Sequence, residues 1–131
     1  MKLLFDASSM FNTLASRDPA PLIGQHALDF TRYELFNVIW KHHSLLKTYN
    51  EDTMNVLLSA SIDVIAEMKL LTISGIEEET MNLAVAQSVS FYDSAYIATA
   101  KENKCKLVTE DRKMRETCMK LGIPVASIKE V

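Results

Sequence analysis

The sequence predicts an α/β fold built on a parallel sheet, and three observations carry that expectation. Short apolar runs such as KLLF at 2–5 and KLVT at 106–109 have the length and composition of strands buried on both faces, as parallel strands are. Between them lie longer stretches in which apolar residues recur at helical spacing. The two kinds of segment alternate, and alternation of this kind pairs strands in parallel through helical crossovers. The 131 residues match the usual size of one domain. A single domain over 1–131 is therefore expected, with a core that stands without staples.

Taken in order, KLLF is the first strand and Asp6 ends it. A second short apolar run, at 28–30, precedes Thr31. Over 31–49, Leu35, Val38, Ile39, His42, Leu45 and Leu46 fall at helical spacing, which predicts a helix of about five turns. Residues 51–68 repeat the pattern with Met54, Leu57, Leu58, Ile62 and Ile65, behind Glu51 and Asp52 in a first turn where the helix dipole favours acids. KLLTIS at 69–74 reads as a strand closed by Gly75. Glu77, Glu78 and Glu79 open a helix running to 88, and another helix follows over 92–103. KLVT is the next strand, 111–121 a helix with Gly122 just past its end, and 123–126 a last strand.

Composition narrows the class of protein. Hydrophobic residues at 48% and charged residues at 24% describe a folded chain, and three Gly with three Pro leave little material for linkers. Cys105 and Cys118 match no zinc spacing, so reduced structural thiols are expected. The opening MKLLFDASSM is too short in its apolar part, and too soon charged, for a signal peptide. No stretch approaches the roughly 18 apolar residues of a membrane span, so a cytoplasmic protein without a membrane partner is expected. A net charge of −3 argues against a partner gathered by bulk positive potential, because nonspecific nucleic-acid binding draws on Lys and Arg. A local cluster tempers this: Lys101, Lys104, Lys106, Arg112, Lys113, Arg115 and Lys120 crowd one C-terminal stretch.

The placement of acids points to a site. Ligands of open parallel sheets bind beyond the carboxyl ends of the strands. Asp6 follows KLLF directly and Asp111 follows KLVT after one residue, so two acids reach that edge. Each also precedes a helix, where Asp is a favoured cap, and both readings stand. Asp93 falls within the apolar arc of its helix, away from the face of Ser94, Lys101 and Glu102. A carboxylate turned toward a core needs a cation, either a metal or a Lys or Arg, because the helix dipole offsets only about 0.3–1 kcal/mol. Thr31-x-x-Glu34 has the spacing of a capping box, which by itself accounts for Glu34. Clustered carboxylates without a Cys and His set suit Mg²⁺ or Mn²⁺ rather than zinc, and such ions commonly serve phosphoryl chemistry.

Four segments together, FDASS at 5–9, Glu34-x-x-Asn37, YDSAYIATA at 92–100 and LVTEDRKM at 107–114, resemble the PIN domains, in particular the VapC-type toxin ribonucleases. They span nearly the whole chain in family order. The resemblance implies a three-layer α/β/α sandwich with a central parallel sheet. It also implies that Asp6, Glu34, Asp93 and Asp111 gather Mg²⁺ or Mn²⁺ to hydrolyse RNA, with no side chain as nucleophile. Ser8 and Thr109 match the small polar residues lining such sites, and Asn37 matches an Asn one turn after the Glu. A homodimer and a small antitoxin that enters the acidic groove are implied as partners.

Arg112, Lys113 and Arg115 are candidates for phosphate contacts, with a solvated helix face as the plain alternative. The rival to catalysis is a PIN-like module that binds RNA or protein without cutting, against which the retention of four acids speaks. A phospho-accepting receiver domain would need an acid pair after the first strand, where this chain has Asp6 followed by Ala7. RNA and DNA are not separable on these residues, since all address phosphate or metal. His42 and His43 read as a half-buried pair, since neighbours on a helix point about 100° apart. Trp40, beside Tyr33 and Phe36, suggests packing or a dimer seam.

Overall fold

The computed structural model describes residues 1–131. Five parallel strands form one sheet: β1 (Leu3–Phe5), β2 (His26–Leu28), β3 (Lys69–Leu71), β4 (Lys106–Val108) and β5 (Val125–Ala126), in the order β3-β2-β1-β4-β5. Six helices connect them: α1 (Ala7–Ala15), α2 (Thr31–Trp40), α3 (Glu51–Ala66), α4 (Glu77–Gln87), α5 (Phe91–Asn103) and α6 (Arg112–Leu121). The chain winds outward from β1 to β2 and β3, then returns to the other side of β1 for β4 and β5. The reversal opens a crevice between the carboxyl ends of β1 and β4, where ligands of such sheets bind.

Successive residues of each central strand serve opposite faces, because side chains alternate along a strand. Phe5, Ala27 and Val108 join a core with Met10, Leu14, Leu35, Leu57 and Ile65 of α1–α3. Leu4, Leu28 and Leu107 join a second core with Ala95, Ile97, Met114 and Cys118 of α5 and α6. The result is a three-layer α/β/α sandwich with a central parallel sheet, the expected class. Gly122 ends α6 at φ 72°, a left-handed conformation that costs a residue without Cβ nothing. Both cysteines are buried and free, and burial pushes the Cys118 thiol up to about 12.

The long helix expected over 31–49 breaks in two. After Trp40 the backbone widens into a π-helical turn over Lys41–Leu45, in which the Leu46 N–H reaches the Lys41 carbonyl at 2.9 Å. At this turn His42 stacks on both Phe11 and Tyr49, with centroids 4.9 and 4.8 Å away, and its Nδ1 pairs with the Thr48 hydroxyl. An inserted residue rotates everything after it by about 100°. Leu45 and Leu46, assigned by period to the apolar face, are therefore 59% and 54% exposed. Ile62 of α3 is likewise exposed.

Other boundaries differ too. The run at 28–30 is not itself the strand: β2 lies two residues earlier, at His26–Leu28, and Asp29 and Phe30 form the turn into α2. The strands expected at 69–74 and 123–126 are shorter, at Lys69–Leu71 and Val125–Ala126, because pairing with β2 and β4 ends there. No helix is long and apolar enough to cross a membrane.

Candidate active site

β1 and β4 end at the same edge, and the segments that follow them are tied together. Asp6 holds an extended conformation as N-cap of α1, its Oδ1 accepting from the Ser9 N–H at 2.9 Å and the Ser8 hydroxyl at 2.8 Å. Its Oδ2 accepts from the hydroxyl of Thr109, just past β4. The Thr109 hydroxyl also accepts from the Asp111 N–H at 3.0 Å, and Ser8 accepts from the Glu110 N–H at 3.3 Å. Asp6 is only 4% exposed. Asp111 caps α6 by accepting from the Met114 N–H at 2.8 Å and is open to solvent. Each Asp therefore caps a helix, and both stand at the edge where ligands of such sheets bind.

Glu34 and Asp93 arrive on helices. α2 leaves the carboxyl end of β2, which places Glu34 in its first turn beside the crevice. α5 runs back toward the amino end of β4, so its first turn, with Asp93, also lies at the carboxyl edge. The Ser90 hydroxyl caps α5 by accepting from the Asp93 N–H at 3.0 Å.

Two expectations fail here. Thr31 is the first residue of α2 rather than its cap, Phe30 holds the cap position without a side-chain bond, and no capping box forms. The Thr31 hydroxyl instead accepts from the Leu28 N–H at 3.0 Å and meets the Tyr96 hydroxyl at 2.8 Å, which in turn donates to Glu34 Oε1 at 2.6 Å. Ser94, placed by helical period on a polar face with Lys101 and Glu102, is fully buried and donates to the Thr80 carbonyl at 2.7 Å. Residues Ser94 to Ala100 of α5 are all buried, because α4 and α6 pack beside it. A helix buried nearly all round has no single apolar arc to read.

The carboxylates feel one another. Burial raises the Asp6 carboxyl above its usual range, against bonds from Thr109, Ser9 and Ser8. Glu34 is raised by burial and by the charges of Asp6 and Asp93, with the Tyr96 bond opposing. Asp93 is raised by burial and by the charges of Asp111 and Asp6, with the Ser90 bond and Lys113 opposing. No Lys or Arg forms a salt bridge with any of them. No three of these groups stand close enough to enclose an ion by themselves. Each of Asp6, Glu34 and Asp111 is oriented by its own donor.

A raised carboxyl in the folded state means that the native protein keeps protons which the unfolded chain has already lost above the ordinary values of 3.8 for Asp and 4.5 for Glu. Stability from this source is full below those values and falls as pH rises through the raised ones. The metal-free protein should therefore melt higher as pH is lowered from neutral toward 5, measured by thermal unfolding in EDTA. A melting temperature that falls over that range would contradict the assigned shifts.

Of the supporting residues, Ser8 and Thr109 are inside the network. Asn37 is exposed and, with Phe30, Tyr33, Glu34 and Tyr92, lines a shallow cleft of about 390 Å³. A larger cleft of about 740 Å³ lies between α1 and α3, lined by Leu14, Tyr49 and Val56 among others, and holds none of the four acids. Arg112 pairs with Glu116 and Arg115 with Glu130, each at 3.1 Å, so both are engaged on the surface. Lys113 donates to the Ser88 carbonyl at 2.9 Å and lies close enough to act on Asp93. The residue that sequence reasoning missed is Tyr96. Its position three residues after Asp93 was the available signal.

A parallel sheet reversing at β1, with carboxylates from the ends of β1 and β4 and the first turns of α2 and α5 at one edge, is the arrangement of an acidic-edged α/β domain. Residues 25–120 match the family model described as PIN domain, and the chain belongs to that family. Asp6 lies before the matched residues, so its place rests on its bonds to Thr109 and Ser8. The chain is 30% identical to Ribonuclease VapC3 of Pyrobaculum aerophilum, over 95% of this chain and all of that protein. Among solved structures it is similar to PAE2754 from Pyrobaculum aerophilum, with a TM-score of 0.82 and 23% identity over 99% of this chain and 91% of that one.

Proposed function

We propose that the protein is a divalent-metal-dependent endoribonuclease, acting as the toxin of a toxin–antitoxin pair. The observation that carries this reading is the set of four carboxylates at the reversal of the sheet, none of them in a salt bridge with a basic side chain. Membership of the PIN family and likeness to a protein named as a ribonuclease support the same reading.

The donors fit a hard cation. All are carboxylate or hydroxyl oxygens, as Mg²⁺ or Mn²⁺ prefers, and neither cysteine belongs to the set. Asp6, Asp93 and Asp111 would hold the ion, directly or through water, with Glu34 beside them. A cation bound there supplies Lewis acidity to a phosphodiester and to the water that cleaves it. The chain supplies placement: Thr109 fixes Asp6 relative to Asp111, and the caps of α1 and α6 fix both to the sheet. Lys113, the one candidate cation without a carboxylate in a salt bridge, would meet a phosphate at the rim. Tyr33 and Tyr92, exposed beside Glu34, offer ring faces to unpaired bases. The ring of Trp40 and the side chains of Leu45 and Leu46, exposed along α2 and its π-turn, favour self-association as a homodimer. The small antitoxin follows from the VapC-type assignment.

The test is incubation of the purified protein with end-labelled RNA and a DNA strand of the same sequence, in Mg²⁺, in Mn²⁺ and in EDTA. Cleavage of the RNA with either ion and none in EDTA is expected. Cleavage in EDTA would remove the metal from the reading, and intact RNA throughout would leave the family's fold in a binding role.

A further inference from the structure

We propose that Tyr96 is a positioning residue, whose hydroxyl holds Glu34 Oε1 so that the second carboxylate oxygen is presented to a bound cation; this rests on the metal-dependent reading above. Four observations carry it. The Tyr96 hydroxyl lies 2.6 Å from Glu34 Oε1 and 2.8 Å from the Thr31 hydroxyl, which accepts from the Leu28 N–H at 3.0 Å. The Glu34 carboxylate oxygen accepts and does not donate, so the direction of the chain is fixed at that end. Thr31 accepts from Leu28 and gives its hydrogen to the Tyr96 oxygen. Tyr96 then gives its hydrogen to Glu34.

The phenol is itself immobilised. Tyr96 is 2% and Thr31 1% exposed, and Phe30 packs edge-on against the Tyr96 ring with centroids 5.4 Å apart. Tyr96 and Asp93 also share α5, so one helix carries an acid and the group that orients a second acid on α2. A phenylalanine fills the same core volume. Partners that orient metal-ligating side chains in this way typically contribute about 10–100-fold to metal affinity or activity.

The experiment is a Mn²⁺ titration of the full chain by calorimetry, for wild type, Tyr96→Phe, Glu34→Gln and the double variant, with the melting temperature of each recorded in EDTA. Tyr96→Phe should weaken Mn²⁺ binding about 10-fold or more while melting within a few degrees of wild type. The double variant should bind no more weakly than Glu34→Gln, because the hydroxyl acts only through that carboxylate. Equal affinity of Tyr96→Phe and wild type overturns the proposal, as do additive losses in the double variant. If wild type binds no Mn²⁺, the metal reading itself fails and the proposal falls with it. Should Tyr96→Phe not fold, Thr31→Val and Thr31→Ser replace it. Loss in the valine variant alone supports the hydroxyl chain, and equal affinity in both overturns it.

Discussion

Asp93→Asn is expected to abolish metal-dependent cleavage of RNA while leaving the protein folded and, without metal, slightly more stable. Asparagine keeps the shape and the Asp93 N–H bond to the Ser90 cap, so the first turn of α5 is retained. What disappears is one negative charge pressed against those of Asp111 and Asp6. Losing a ligand should cost more than the roughly 10–100-fold that a supporting partner is worth. Relief of repulsion should raise the melting temperature in EDTA by a few degrees at most, since solvent still screens a half-buried carboxylate. Single-turnover cleavage with Mn²⁺ and thermal melts in EDTA read the two effects separately. A variant that cuts as well as wild type would remove Asp93 from the site. One that melts far lower would make it a structural residue.

Phe5→Ala should have the largest effect on stability. Phe5 is fully buried on β1, which is flanked by β2 and β4 in the middle of the sheet, and its ring belongs to the core beneath α1–α3. Removing such a ring leaves a cavity that the surrounding elements close only in part, at a cost of about 3–5 kcal/mol. A domain has only about 5–15 kcal/mol in total. Urea denaturation should therefore show a much lower midpoint, with or without Mn²⁺. A loss below about 1 kcal/mol would mean that the core collapses freely around the gap, unlike a close-packed interior. Because Asp6 is the next residue, cleavage should also weaken as β1 frays.

Much of this molecule was legible in the sequence, for identifiable reasons. Strands buried on both faces announce themselves as apolar runs, which is why KLLF and KLVT were placed within one residue. The acids at 6 and 111 were legible as edge residues because they stand directly where those runs stop. Legibility failed where tertiary contacts override local period. The π-turn carries His42 onto Phe11 and Tyr49, and no spacing rule foresees an inserted residue. Thr31 and Glu34 have the spacing of a capping box, but a phenol reached from 62 residues away takes the carboxylate. Ser94 looked solvent-facing because its burial depends on Thr80 of the neighbouring helix.

The hydrogen bond between Thr109 and Asp6 joins residues 103 positions apart. During synthesis the chain leaves the ribosome from its amino end, so Asp6 emerges first and waits for nearly the entire chain before Thr109 and Asp111 can meet it. Every shorter nascent chain lacks part of the acidic edge. The proposed site is thereby incomplete until translation has passed residue 111.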